Sequence, residues 1–194
     1  MARLGSGSAS RSTQIGWGVW GENNFITDSS DHHAVFLDSS IINFNFRKLN
    51  NAICLVSKKQ KATSSSLGHD LMKNHPYKND RIKQANQNLG LCLDSLRSGD
   101  WELFSNVVEE EALGLHGLMM SGERGYTLLE EASWVLIEKI RALRNQGYRV
   151  CFSIDAGPNI HLIYDPKEQE VLKYLELWKS ELGIDYISSG VLDE

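Results

Sequence analysis

The 194-residue sequence has no basic excess, no long apolar run and few cysteines, and each absence excludes a class of function. Lys and Arg number 20 against 25 Asp and Glu, a net charge of −5, and the cations are dispersed. A nucleic-acid partner needs a basic face to meet its phosphates, so nucleic acid is excluded as the main partner. No segment approaches the ~18 apolar residues of a membrane span, and the first residues lack the apolar core of a secretory signal. The chain is therefore expected to be soluble and cytoplasmic, with no membrane partner. Cys54, Cys92 and Cys151 are odd in number and lack CxxC spacing, which gives neither a disulfide framework nor a zinc site. They read as buried, reduced thiols. Internal repeats and low-complexity tracts are also missing. The length suits one sizeable core, or one domain with a piece of a second.

Two stretches carry chemistry. Arg149-Val150-Cys151-Phe152-Ser153-Ile154 reads as a buried strand, and Asp155-Ala156-Gly157-Pro158-Asn159 follows it at once. A carboxylate at the end of an apolar strand, before a Gly-Pro turn, stands on a rigid base. Near the front, Gly5-Ser6-Gly7-Ser8-Ala9-Ser10-Arg11-Ser12 combines small residues, four hydroxyls and one guanidinium. Such a run lets backbone N–H groups approach an anion closely, and Arg11 adds a planar, charged fork. An acid that takes a proton and a loop that holds phosphate point to phosphoryl chemistry on a hydroxyl.

The remaining chain supplies a frame. Gln14–Trp20 alternates small or polar with large residues and reads as a strand, and residues 21–40 as a polar connection. Within it, Asp31-His32-His33 has metal-ligand residue types but no supporting cluster, and reads as a solvated loop or helix start. Ala52–Ser57 reads as a central strand. Thr63-Ser64-Ser65-Ser66-Leu67-Gly68 offers either a helix N-cap or hydroxyls for a ligand. Helices are expected over Asp80–Leu96, Trp101–Met120 and Leu128–Asn145, with Ser98-Gly99-Asp100 closing the first and capping the second. His116 on the second reads as a packed or hydrogen-bonded core residue. A strand over Ile160–Tyr164 pairs with Arg149–Ile154, and Asp165-Pro166 is expected to start a last helix as N-cap and N1. Val171, Leu172, Leu175 and Leu182 form its core side, and Ile184–Ile187 a final strand. The order predicts an α+β fold, with helices packed on one face of a largely antiparallel sheet.

In order, the Gly/Ser/Arg loop, the Trp-containing strand, the Ser-rich segment, Glu111-Ala112-x-x-x-His116 and Asp155–Asn159 resemble the diphosphomevalonate decarboxylase family of the GHMP kinase superfamily. The resemblance implies an ATP- and Mg²⁺-dependent decarboxylation of mevalonate 5-diphosphate to isopentenyl diphosphate in isoprenoid biosynthesis. Residues 1–40 would be the tail of an N-terminal, ribosomal-S5-like domain and residues 41–194 the C-terminal domain with a ferredoxin-like sheet. The chain would correspond to about the C-terminal three fifths of a family member. Position by position, Asp155 matches the catalytic aspartate, Arg11 the arginine at the substrate carboxylate, and Ser6 and Ser8 the serines around the diphosphate. Ser65 matches a hydroxyl reaching the phosphates. Ala9-Ser10-Arg11 stands where many members have Ala-Cys-Arg, and Trp17-Gly18 departs from Gly-Gly-Phe, which bears on packing. The alternatives are a monophosphate-specific decarboxylase, or a half that needs an absent N-terminal, ATP-binding part. Mevalonate 5-diphosphate and ATP are the expected partners, with a homodimer or that N-terminal half as the protein partner.

Overall fold

A computed structural model of the chain describes residues 16–57 and 74–189. A short antiparallel pair comes first, β1 (Gly18–Trp20) with β2 (Ala34–Phe36), followed by single 3-10 turns at Ser39–Ile41 and Phe44–Phe46. Then come β3 (Asn50–Leu55) and the helices α1 (Lys78–Ser98), α2 (Trp101–Ser121) and α3 (Glu131–Asn145). β4 (Val150–Ile154), β5 (Ile160–Tyr164), α4 (Val171–Leu182) and β6 (Asp185–Ser189) complete the described residues. Strands β3 to β6 form one antiparallel sheet in the order β4-β5-β3-β6. The α+β expectation describes it correctly.

Strand alternation decides where the core lies. Ala52, Cys54, Val150, Phe152, Ile154, Ile160, Leu162 and Tyr164 all point to one face and are 0–4% exposed. Leu136, Ile137, Ile140 and Leu143 of α3 and Val171, Leu175 and Trp178 of α4 pack against them. Each fully buried large side chain here contributes about 1.5–3 kcal/mol. The α1–α2 pair stands beside β4 rather than over that face. Its closure is local: Gly99 adopts a left-handed φ of 85°, where a Cβ would meet the Asn43 amide at 2.6 Å. Asp100 then caps α2 by accepting the Leu103 N–H at 3.0 Å.

On the opposite sheet face Cys151 joins a second cluster with Ile42, Phe46, Leu96 and Phe104. Trp17 ties the front of the described chain to it, stacking edge-on to Phe104 and donating from Nε1 to the Phe46 carbonyl at 2.7 Å. The departure at Trp17 is thus a packing feature. The three cysteines are unpaired thiols, and burial pushes Cys92 up to about 11, Cys54 to about 12 and Cys151 higher still.

Four expectations need correction. Residues 21–40 contain β2, whose three residues are too short to stand out by period. α3 begins at Glu131, three residues later than the apolar pattern suggested, because Glu130 and Ser133 form a reciprocal capping box there. Asp165 and Pro166 begin a turn and not α4: Asp165 accepts the Lys167 N–H at 3.0 Å and meets Arg149 at 3.4 Å, so its oxygens are occupied before the helix starts at Val171. Leu172 is 46% exposed, and Trp178 takes the core position, since 171, 175, 178 and 182 share one helical face.

β4 is an edge strand, and α2 covers that edge. Glu109 of α2, buried, accepts the Phe152 N–H at 3.4 Å and forms a two-pronged pair with Arg144 of α3. One carboxylate therefore joins α2, α3 and the sheet edge. Its loss would strand a guanidinium that is only 22% exposed. Glu109→Ala is expected to cost about 2–4 kcal/mol, at the lower end for a buried pair because Arg144 reaches some solvent, as measured by urea denaturation.

Candidate active site

Asp155 follows β4 directly, and its carboxylate is 86% exposed. The turn beneath it is held by three different elements, two through its backbone and one through the Asn159 side chain. His116 of α2 donates from Nε2 to the Asp155 carbonyl at 3.1 Å. Ser133, in the first turn of α3, donates to the Pro158 carbonyl at 2.7 Å while accepting the Glu130 N–H at 3.1 Å. Asn159 accepts the Val56 N–H at 3.0 Å and the Ser57 N–H at 3.4 Å, which ties the turn to the exit of β3. Inside the turn, the Gly157 N–H reaches the Asp155 carbonyl at 2.8 Å. A carboxylate is thus offered to solvent from a backbone that has little freedom.

Residue parity puts Asp155 on the sheet face opposite the core, with Cys151 and Ser153. His161 of β5 lies across from Ser153 on that face, its Nε2 3.8 Å from Asp155 Oδ2. A cavity of about 580 Å³ opens over the same face, between the β1 segment and the α1–α2 pair. Trp17, Trp20, Val107, Glu111, Ser153 and Ile163 are among its walls. Asp155 does not line it; Ser153, two residues earlier, does. Glu111 is neutralised by Arg81 and accepts from Asn88 Nδ2 at 2.9 Å.

His116 is 2% exposed, and burial lowers its pKa below the ordinary value, opposed by its bond to the Asp155 carbonyl. The donor role puts the ring proton on Nε2. Nδ1 is buried and has no partner among the described residues. The reading of His116 as a packed or hydrogen-bonded core residue describes both its burial and its bond, while the turn as the bond's destination was not read from the sequence.

Of the candidate site residues Ser6, Ser8, Arg11, Ser65 and Asp155, the described residues include Asp155 alone. Ser6, Ser8, Arg11 and Ser65 lie outside the described residues. Asp31, His32 and His33 are exposed, and among the described residues no group of three or more His, Cys, Asp or Glu side chains is arranged to hold a metal ion.

Comparison with known proteins adds the decisive observation. The family model of the mevalonate 5-diphosphate decarboxylase C-terminal domain matches residues 51–185. The chain belongs to this family. Asp155 falls inside the matched residues, as does Ser65, whereas Ser6, Ser8 and Arg11 precede them. Diphosphomevalonate decarboxylase of Ganoderma lucidum is 26% identical over 176 residues, covering 87% of this chain and 43% of that protein. The Candida albicans enzyme is 25% identical, covering 94% and 49%. The chain thus spans about half the length of these curated relatives. Among solved structures, mevalonate diphosphate decarboxylase of Staphylococcus aureus has a TM-score of 0.79 at 24% identity, over 97% of this chain and 58% of that one. MDDEF in complex with MVAPP, AMPPCP and magnesium has a TM-score of 0.75 at 21%, over 96% and 56%. These likenesses establish that the chain has the fold of these decarboxylase structures.

Sequence reading missed Ser133 and His161. Ser133 hid inside an apolar helical pattern, but its spacing from Glu130 was a legible cap signal. His161 needed the hairpin register, which places it opposite Ser153.

The depressed pKa of His116 has a direct consequence for stability. Protonation favours the unfolded chain, so the contribution is fully present above the unfolded-state value of about 6.5 and is lost as pH falls below it. His116→Gln keeps a donor without a titrating ring. The urea midpoint is expected to fall less between pH 7.5 and pH 5.5 in His116→Gln than in the parent chain.

Proposed function

We propose that this chain supplies the reacting acid for ATP-dependent decarboxylation of mevalonate 5-diphosphate to isopentenyl diphosphate, in the mevalonate route to isoprenoids. The observation that carries this reading is the exposed Asp155 carboxylate on a turn pinned from three elements. Family membership and the curated activity of the relatives support it. So does the similar solved structure that holds MVAPP, AMPPCP and magnesium.

The chemistry suits a carboxylate so placed. A tertiary hydroxyl is a poor nucleophile, and Asp155 orients it and accepts its proton. ATP supplies, when bound, the phosphoryl group that turns the hydroxyl oxygen into a leaving group. Among the described residues no group of three or more His, Cys, Asp or Glu side chains is arranged to hold a metal ion. The anion contacts fall to residues outside the described ones. Arg11 is assigned the substrate carboxylate, whose two oxygens match a guanidinium fork. Ser6 and Ser8 are assigned the diphosphate, and Ser65 the phosphates. Residues 1–40 are read as the tail of an N-terminal domain and 41–194 as the C-terminal domain, working in the cytoplasm.

A second reading has its own support. On this reading the residues present act together with a separate polypeptide that matches the other part of the relatives, of whose length the chain spans 43–49%. The test is ATP-dependent CO₂ release from mevalonate 5-diphosphate, by the chain alone and with a polypeptide matching the relatives' unspanned half. Release in the mixture alone selects the half-enzyme reading, and preference for mevalonate 5-phosphate selects the monophosphate branch. In whichever sample is active, Asp155→Ala is expected to lower turnover about 10²–10⁴-fold with ATP binding retained. Near-parental turnover would remove Asp155 from the chemistry, and no release from any sample would overturn the assigned reaction.

A further inference from the structure

The exposed acid has a neighbour that the sequence pattern did not announce. His161 Nε2 stands 3.8 Å from Asp155 Oδ2, beyond a hydrogen bond but within ion-contact range. At the other edge of the ring Asn51 Nδ2 lies 3.3 Å from His161 Nδ1. With the Asn51 amide in this orientation its nitrogen donates and Nδ1 accepts, so the neutral ring carries its proton on Nε2, the atom that faces Asp155.

Sheet register explains why the three groups meet. His161 pairs with Ile53 of β3, and Asn51 is two residues along on the same face. That diagonal is within reach of a long side chain. His161 also pairs with Ser153 of β4, and Asp155 is two residues further in the same parity. The His161 side chain is 24% exposed against 86% for Asp155, so a held ring meets a loosely held carboxylate.

We propose that His161 is a positioning residue for Asp155, with Asn51 setting the tautomer. This rests on the reading of Asp155 as the reacting acid. The Nε2–H draws one carboxylate oxygen to itself by a small side-chain rotation, which leaves Oδ1 turned to the substrate hydroxyl. A pinned turn fixes where the carboxylate starts, but not its own torsions, and reaction requires both. His161 supplies the second restraint. A residue that merely packed would not care which ring nitrogen carries the proton.

Nitrogen-15 NMR of the histidine rings in the whole chain, near pH 8 where an ordinary imidazole is neutral, decides the matter. His161→Gln assigns the resonance. The Nε2–H tautomer is expected to dominate at His161. Asn51→Ala should shift the ring toward a tautomer mixture, and Asp155→Ala should move the Nε2 resonance. A dominant Nδ1–H tautomer, or a ring indifferent to Asp155→Ala, would overturn the proposal. Should Asn51→Ala fail to fold, the parent tautomer and the Asp155→Ala arm still decide, since Asp155 is exposed. An indifferent ring in a chain whose turnover depends on Asp155 removes His161 alone. A coupled ring in a chain that never releases CO₂ removes the reaction assigned above and leaves the contact.

Discussion

Three hydrogen bonds from separate elements to one five-residue turn are the constraint on which this structure depends. His116 and Ser133 meet the backbone of the turn at the Asp155 and Pro158 carbonyls, and the β3 exit meets it through the Asn159 side chain. None of these partners is local in sequence. The turn therefore has its shape only when α2, α3 and the sheet are already packed together, and its order reports on the whole domain. The carboxylate above it is 86% exposed, so the rigid part of the placement lies in the turn and not in burial of the acid. Burial is spent on the backbone, not on the acid.

The frame was legible where one rule governs. Period-two strands, period-3.6 helices, Gly99 and Gly183 in left-handed conformation at helix ends, and Asp100 as a cap all follow from local chemistry. Local rules failed where a tertiary demand claimed the same residue. Asp165 had the chemistry of a helix cap, yet Arg149 and the turn at Lys167 engage it. Leu172 fitted a loose apolar pattern, but the sheet accepts only one face of α4, and Trp178 lies on it. The acid itself was visible because strand, carboxylate and Gly-Pro turn are contiguous. Its neighbours Asn51, His116, Ser133 and His161 come from four elements, and no linear pattern gathers them.

The low identity to relatives of the same fold has a physical basis. Most of the domain asks for apolar volume in the right parity, which many residues satisfy. The demands that cannot be met by volume are few: a donor at 116, a hydroxyl at 133, an acceptor at 159 and a carboxylate at 109. Specific chemistry is concentrated around the β4 end, and the rest of the core is free to drift around it. The 580 Å³ cavity over the same sheet face has Trp17 and Trp20 from the front of the chain on one side, and both apolar and polar side chains of α1 and α2, Phe104, Val107, Asn88 and Glu111 among them, on the other.

Helix α2 touches the β4 edge twice, at Glu109 with Phe152 and at His116 with Asp155. Seven residues of helix rise about 10.5 Å, and three residues of strand about 10 Å. The two elements therefore run as matched rulers, and both contacts are met without bending either one. Seven residues also make nearly two full turns, so the two side chains leave the helix in the same direction. Adding or removing one residue between them would turn the second side chain by about 100° and slide it by about 1.5 Å. The spacing within α2, together with the side chains at 109 and 116, is thus the length standard that sets where the end of β4 and its turn stand.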